Sequence, residues 1–440
     1  MERRNARMSK DVSVNVHHVT RVEGHGNIVV DVKKGDIKQV QWQVPEAPRF
    51  FEAMLRGRHY DDLRPITSRI CGICSIGHSL ASLKATEDAL DVSISAQSQI
   101  LRRLAINGEN MQSHILHIGY LVAPDLFGVG SVFPLVGSKH QDALLKIVQL
   151  HRLSNEMSDL ICGRTTHPIR LVVGGFSMVP TEKQLLDMKQ RLLDAVEPTK
   201  DVANAVLSVA DKLPDFTRET EYIGLSSDEE YALYDGYVNS TDTGALKDYR
   251  NYKDFMQEYV VSQSTAKYAK HARKSYMVGA LARYNLNSEQ LHPLAKETAK
   301  LFGLKPVCYN PYMNTIAQIV EFVHNIEDSL MQIEKLLDHG MKDEKPVKVK
   351  KKTGRGVGIV EVPRGILVHE YDIKDALCTK ANCIIPTNQN HANIQHDMEE
   401  LVPQILDKPQ KEIELTLEML VRAYDPCISC STHYLDVTFV

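Results

Sequence analysis

Apolar residues recur at helical spacing through most of the chain. Ser79 to Leu90 is rich in helix formers, and Ile100, Leu104, Met111, Ile115, Ile118 and Val122 make one apolar stripe. Leu144, Ile147, Val148, Leu150 and Met157 make another that runs to Ile161, and Leu185, Met188, Leu192 and Val196 a third. The most regular helix is the one marked by Ile316, Ile319, Val320, Val323, Ile326, Leu330, Ile333 and Leu337. A last helix, roughly 409–424, leads into Asp425-Pro426. These stripes read as core and carry no chemistry of their own.

The period changes at both ends. Within 12–43, Val14, Val16, Ile28, Val30 and Val32 alternate with polar residues, and Lys33-Lys34-Gly35-Asp36 suits a hairpin turn. Residues 48–60 suggest a short helix stopped by Gly57. Val357 to Val362 reads as a strand running into Pro363-Arg364-Gly365, and Cys383 to Thr387 as a short apolar run broken by Pro386. The expected fold is therefore mainly α (α+β), a bundle of long helices with peripheral β-sheet. We expect one large unit over 1–440: a β-rich part (12–60), a helical part (61–340) with an irregular, more polar insertion (212–260), and a C-terminal β/loop part (341–440) carrying metal ligands. Lys342 to Arg355 is basic and reads as a solvated loop.

Composition narrows the function. The 440 residues are 43% hydrophobic and 25% charged, ordinary for a globular protein. A net charge of −4 argues against nucleic-acid binding as the main activity. No apolar run is long enough to span a membrane, and the N-terminus lacks the apolar core of a secretory signal. The eight cysteines suggest no disulfide framework, so a reducing, cytoplasmic setting is expected. Cys162 and Cys308 read as buried structural thiols.

Four cysteines stand apart. Arg69-Ile-Cys71-Gly-Ile-Cys74-Ser-Ile-Gly-His78 lies early, and Asp425-Pro-Cys427-Ile-Ser-Cys430-Ser-Thr-His433 lies near the other end. Each Cys-x-x-Cys turn aims two thiolates at one ion, and four thiolates suit zinc, an iron–sulfur cluster or a late transition metal. The wide separation counts against a zinc knuckle. The spacing matches neither ferredoxin pattern, and the βαβ context of a redox dithiol is missing.

With the flanking residues added, the chain resembles the large, catalytic subunit of [NiFe]-hydrogenases over nearly its whole length. The likeness is carried by Arg21-Val-Glu23-Gly-His25, Arg69 to His78, Gly163-Arg164-Thr-Thr-His167-Pro168, Pro363-Arg364-Gly365, Pro386-Thr387 and Asp425 to His433. The resemblance implies that Cys71, Cys74, Cys427 and Cys430 ligate nickel. Cys74 and Cys430 would also bridge to an iron carrying CO and cyanide, a Ni-Fe(CO)(CN)2 centre. Cys427 would accept the proton as H2 splits heterolytically, and Glu23 would relay it outward. His78 would hydrogen-bond a bridging thiolate. Arg364 would lie over the open site and, with Thr387, face the cyanides. Glu52, His433 and a carbonyl near Cys383 would hold a second cation, Mg2+ or Fe2+.

Three departures qualify the likeness. Many members carry an aspartate near Arg364 where this chain reads Gln112-Ser113-His114. The chain continues past His433 as Tyr434 to Val440, where many relatives are cut after nickel insertion. Its Phe50-Phe51-Glu52 and Ser275 to Asn285 segments resemble the cytoplasmic, cofactor-coupled branch, whose acceptors are NAD(P), F420, ferredoxin or a heterodisulfide reductase. No cysteine set remains for iron–sulfur clusters, so the expected partners are an Fe-S small subunit, with the His167-Pro168 loop as a candidate interface, and a flavin/Fe-S acceptor module, in a dimer of hetero-oligomers. Two other readings compete. A scaffold component of a complex I-like assembly would lack the nickel cysteines, and a structural zinc protein would bind zinc alone.

Overall fold

Alternate glycines set the middle of the fold, in a computed structural model that describes residues 11–246 and 248–433. The strand Gly354–Val362 carries glycine at 354, 356 and 358 and packs on the helix Ser75–Leu90. A Cβ on Gly358 would lie 2.1 Å from the Ala81 carbonyl oxygen, one on Gly356 2.2 Å from that of Ala85, and one on Gly354 2.0 Å from that of Ala89. Period two in the strand thus meets period four in the helix, and the two backbones touch with no side chain between them. At the far end, a Cβ on Gly77 would lie 2.1 Å from Val362 Cγ1. This register lays the start of the helix, just after Cys74, beside the end of the strand, just before Arg364. Gly358→Val should therefore force the two elements apart. The expected outcome is loss of soluble folded protein, or a lowered melting temperature with reduced metal content; wild-type behaviour in both would contradict the packing.

The helical part follows the predicted stripes. Ala96–Leu116, Gln141–Cys162 and Asn314–His339 pack as the core of the bundle. The first of these passes into a π-helical turn, His117–Val122, and then a short helix, Ala123–Phe127. Strands Val12–Val16, Asn27–Lys33 and Asp36–Gln43 form an antiparallel sheet, and Lys34 (φ 51°) and Gly35 (φ 78°) make the expected hairpin turn. The helix expected over 48–60 is two, Phe51–Leu55 and Tyr60–Thr67, parted at Gly57 with φ +80°. Among the described residues no helix is long and apolar enough to cross a membrane.

Two segments depart from expectation. Residues 212–260 carry regular structure within their loops: Glu221–Ser226, Tyr237–Ser240 and Gly244–Ala245 join Tyr276–Met277 in a four-stranded sheet. Glu221–Ser226 is buried at every position, so it shows no alternation to read. Pro386 does not break an apolar run but opens the helix Pro386–Ile405 at its first turn. Its first half is buried around polar residues, Asn388, Gln389, Asn390, His391 and Asn393, and only its second half carries an apolar stripe, Ile394, Met398, Leu401, Val402 and Ile405.

A buried ion network ties the bundle to the strand Gly354–Val362. Arg283 donates through Nε and Nη2 to Glu321 (2.6 and 2.7 Å) and through Nη1 to Glu361 (2.8 Å). It also donates to the carbonyls of Val362 (2.9 Å) and Pro363 (3.1 Å), the two residues before Arg364. Two carboxylates balance the guanidinium, and the carbonyls use its remaining donors, which is what a buried charge requires. The backbone that presents Arg364 is thereby fixed. Tyr434–Val440, the segment past the position where many relatives are cut, lies outside the described residues.

Candidate metal centre

The two cysteine turns meet because the Arg21–Gly26 loop grips the C-terminal segment. Ile428 donates its N–H to the Glu23 carbonyl at 2.9 Å, and Glu23 and Cys427 pair as a parallel bridge. Gly24, at φ +83°, approaches so closely that a Cβ there would sit 2.8 Å from the Ser429 nitrogen. The guanidinium of Arg49 reaches from the other side to the carbonyls of Ile70 and Ser429, tying the first turn to the second. Cys71 Sγ then lies 3.5 Å from Cys427 Sγ, and Cys74 Sγ 4.0 Å from Cys430 Sγ. All four sulfurs fall within 4.8 Å of one another, and all four residues are buried.

The charges fit a bound metal. Burial disfavours the Cys71 thiolate, but hydrogen bonds from Cys427, Cys430 and Cys74 and the charge of Arg364 outweigh it and hold its pKa well below the thiol range. Burial, followed by the neighbouring sulfurs, pushes Cys427 well above that range. Cys430 is also pushed well above it, with burial again the largest cause. Four thiolates do not ionise together in so dry a space without a cation among them. The donor set is soft and of the right number for a late transition metal.

Around the sulfurs stand most of the residues singled out from the sequence. Glu23 Oε2 accepts from Cys427 Sγ at 3.2 Å and from the Ser429 N–H at 3.0 Å. Thr387 Oγ1 accepts the N–H of Cys427 at 3.0 Å. Arg364 donates through Nε to the Asp425 carbonyl (2.7 Å) and through Nη2 to Asp425 Oδ1 (2.9 Å). Its Nη1 is buried with no partner among the described residues, a donor left over at the site. Burial works against its charge, but Asp425 and then the thiolates of Cys427, Cys74 and Cys71 hold its pKa well above the ordinary value.

His78 has a partner the sequence does not announce. Its Nδ1 lies 3.1 Å from His369 Nε2, and its Nε2 has no partner among the described residues. Burial lowers its pKa to about 4, leaving a neutral ring at pH 7. His369 continues the chain to the Tyr371 hydroxyl at 2.7 Å. Ser113, in the Gln112-Ser113-His114 stretch, has a buried hydroxyl without a partner among the described residues, and the carboxylate on Arg364 is that of Asp425.

A second cluster lies a few residues away. His433 Nε2 is 3.5 Å from Glu52 Oε1 and 2.9 Å from the Cys383 carbonyl oxygen. The Cys383 N–H donates to Glu52 Oε1 at 2.7 Å, and His433 Nδ1 lies 3.0 Å from the Cys430 carbonyl. Burial raises the Glu52 pKa, but His433 and the Cys383 N–H outweigh it, so the carboxylate is favoured. A carboxylate, an imidazole and a carbonyl thus converge from three distant parts of the chain, and the hard oxygens suit a hard cation.

Several contributors carry no signal in the sequence. Asp425 stands two residues before Cys427, but nothing there points to its partner. Glu109 accepts from the N–H groups of Ile76 (2.7 Å) and Gly77 (3.0 Å), capping the helix that follows Cys74. Burial pushes its pKa up to about 8. Nothing in the apolar stripe around Glu109 marks it out.

The comparisons with known proteins agree with this geometry. The family model described as nickel-dependent hydrogenase matches residues 49–141 and 226–433, and a model described as HoxL-like matches residues 13–47. The alpha chain of sulfhydrogenase 1 from Pyrococcus furiosus is 30% identical over 425 residues, covering 96% of this chain and 97% of the relative. A chain of the vhc F420-non-reducing hydrogenase from Methanococcus voltae is 29% identical over 458 residues, 96% and 94% of the two chains. Among solved structures, an NAD+-reducing [NiFe]-hydrogenase in the H2-reduced state has the same fold, with a TM-score of 0.86 at 24% identity over 96% of this chain and 99% of that one. A [NiFeSe]-hydrogenase of Dm. baculatum matches with a TM-score of 0.76 at 23% identity, covering 96% of this chain and 100% of that one.

Proposed function

The chain belongs to the nickel-dependent hydrogenase family, and from that premise we propose two assignments. Cys71, Cys74, Cys427 and Cys430 hold the nickel–iron centre of a catalytic subunit, while Glu23 takes the proton released when H2 is cleaved. The observation that carries this reading is the contact of Cys427 Sγ with Glu23 Oε2 at 3.2 Å, inside a buried quartet of sulfurs.

When bound, the metal centre supplies the Lewis acid and electron sink that heterolysis of H2 needs. The chain supplies the rest. Cys427 Sγ is the base, and Glu23 Oε2 is the next acceptor, already within proton-transfer reach. Thr387 fixes the Cys427 backbone through its N–H. Arg364 holds a full positive charge over the site, oriented by Asp425, and its remaining Nη1 donor is preorganised for whatever negative group binds there. In this reading cyanide on the iron would be that group, with Thr387 facing it as well. The dry surroundings strengthen each of these interactions. Glu52, the Cys383 carbonyl and His433 would hold Mg2+ or Fe2+, which would brace the C-terminal segment that carries Cys430.

We extend the reading to the assembly. Electrons would leave through an Fe-S small subunit to a flavin/Fe-S module and a soluble acceptor of the NAD(P), F420, ferredoxin or heterodisulfide-reductase kind, in a cytoplasmic dimer of hetero-oligomers. The curated relatives are named as subunits of hydrogenases, and the eight cysteines leave no cluster-binding set in this chain.

Glu23→Gln tests the proton assignment. It keeps the shape and the Ser429 N–H contact but cannot carry the proton. H2-driven viologen reduction should fall about 100-fold or more, within the range for losing a general acid–base group. Conversion of para- to ortho-hydrogen, which needs cleavage but no proton exit, should persist. Unchanged viologen reduction would refute the role of Glu23.

A further inference from the structure

The contact of Cys427 with the half-buried Glu23 leaves open where the proton goes next. The same oxygen that faces the thiol, Glu23 Oε2, rests on the main-chain N–H of Ser429 at 3.0 Å. The hydroxyl of that same serine points outward and donates to Glu46 Oε1 at 3.0 Å. Glu46 is 19% exposed, and His25 Nδ1, on a ring 62% exposed, lies 3.9 Å from the same Oε1. Thus sulfur, carboxylate, serine, carboxylate and surface imidazole follow one another in contact.

The line is held in place from every side. The Arg49 guanidinium grips the Ser429 carbonyl. Gly24 leaves room for the serine: a Cβ there would sit 2.9 Å from Ser429 Oγ. Thr265 Oγ1 donates to the Glu46 carbonyl and to that of Val44 at 3.1 Å, anchoring the loop that presents Glu46. Ser429 thus touches both carboxylates, Glu23 through its main-chain N–H and Glu46 through its hydroxyl, between a buried sulfur and the surface.

We propose that protons leave the site through a hydroxyl relay within this chain, from Glu23 to Ser429 Oγ to Glu46, and reach solvent beside His25. The proposal rests on the reading of Glu23 given above. In the relay, protonated Glu23 gives its proton to Ser429 Oγ as the serine O–H passes its own to Glu46 Oε1. One O–H bond forms and one breaks at the serine, which ends as it began. Glu46 then releases the proton to water or to His25, and no oxidant or further reactant is needed. The first step requires the Glu23 carboxyl to turn from the Ser429 N–H to its Oγ. Ser429 and Glu46 are positioning and relay residues; neither touches H2.

The experiment uses the assembled holoenzyme of the Ser429→Ala, Ser429→Thr, Glu46→Gln and Glu23→Gln variants, with rates expressed per nickel. Two reactions are compared: exchange of D2 gas with solvent protons, and para- to ortho-hydrogen conversion. Ser429→Ala and Glu46→Gln should slow solvent exchange about 10-fold to 100-fold while para-hydrogen conversion stays within twofold. Ser429→Thr, which keeps a hydroxyl, should restore exchange. Infrared spectra with isotope-labelled glutamate give a readout apart from turnover: the Glu46 carboxylate stretch should shift in Ser429→Ala as its hydrogen bond is lost. If Glu23→Gln blocks exchange but Ser429→Ala and Glu46→Gln exchange at the wild-type rate, the relay is overturned and the role of Glu23 stands. If Glu23→Gln also exchanges normally, both fall. Parallel loss of both reactions in Ser429→Ala, unrelieved by Ser429→Thr, would mark a purely structural serine and overturn the relay.

Discussion

Cys71→Ala should yield a chain without nickel and without hydrogen-dependent viologen reduction. Cys71 is the sulfur whose thiolate the surroundings favour most, through hydrogen bonds from the other three cysteines and the charge of Arg364. It is also one half of the shortest contact between the two turns, 3.5 Å to Cys427 Sγ. Without it the remaining three thiols are left in a dry pocket that disfavours their ionised forms. Losing an outer hydrogen-bond partner of a ligand already costs about 10-fold to 100-fold in metal affinity, and losing a ligand itself should cost more. Atomic-absorption analysis of the purified variant checks this. Wild-type nickel content in Cys71→Ala would mean that the quartet is not the site.

Arg364→Lys should keep the metal and lose the rate. Arginine engages Asp425 through two donors, Nε to the carbonyl and Nη2 to Oδ1, and still presents a third, Nη1, to the site. A lysine ammonium is a point charge on a flexible stem and cannot hold both Asp425 contacts while facing the metals. Removing one preorganised donor of this kind costs about 2.7–4 kcal/mol, or roughly 100-fold to 1,000-fold in kcat. Nickel content should stay near the wild-type level, because the hydrogen bonds of Arg364 go to Asp425 and not to a sulfur. A kcat within twofold of wild type would show that Asp425 and the backbone clamp from Arg283 matter more than the guanidinium.

Where one physical rule governs, the sequence is readable. The long helices of the bundle have one buried face, so their stripes predict them; the hairpin at Lys34-Gly35 needs positive φ at two positions and announces itself by composition. The two cysteine turns are legible because local geometry limits what a Cys-x-x-Cys pair can do. Their meeting is not legible from spacing, since it depends on Gly24 packing against Ser429 and on alternate glycines seating Gly354–Val362 against Ser75–Leu90. Buried polar residues hide the rest. The first half of the helix Pro386–Ile405 is buried around amides and histidine, which masks its start, and Glu221–Ser226 is covered on both sides and shows no alternation. The partner of His78 is hidden as well: its ring meets His369, on the strand Gly365–Lys374, which no motif in the sequence marks. Asp425 is in plain view, but only the fold shows that its carboxylate orients Arg364.

The central claim is that the four sulfurs hold nickel and iron in a chain that cleaves H2. Metal analysis combined with infrared spectroscopy of the purified, natively matured protein tests it most directly. The expected result is one nickel and at least one iron per chain, with the sharp bands of metal-bound CO and cyanide. Zinc alone, with no such bands, would contradict it.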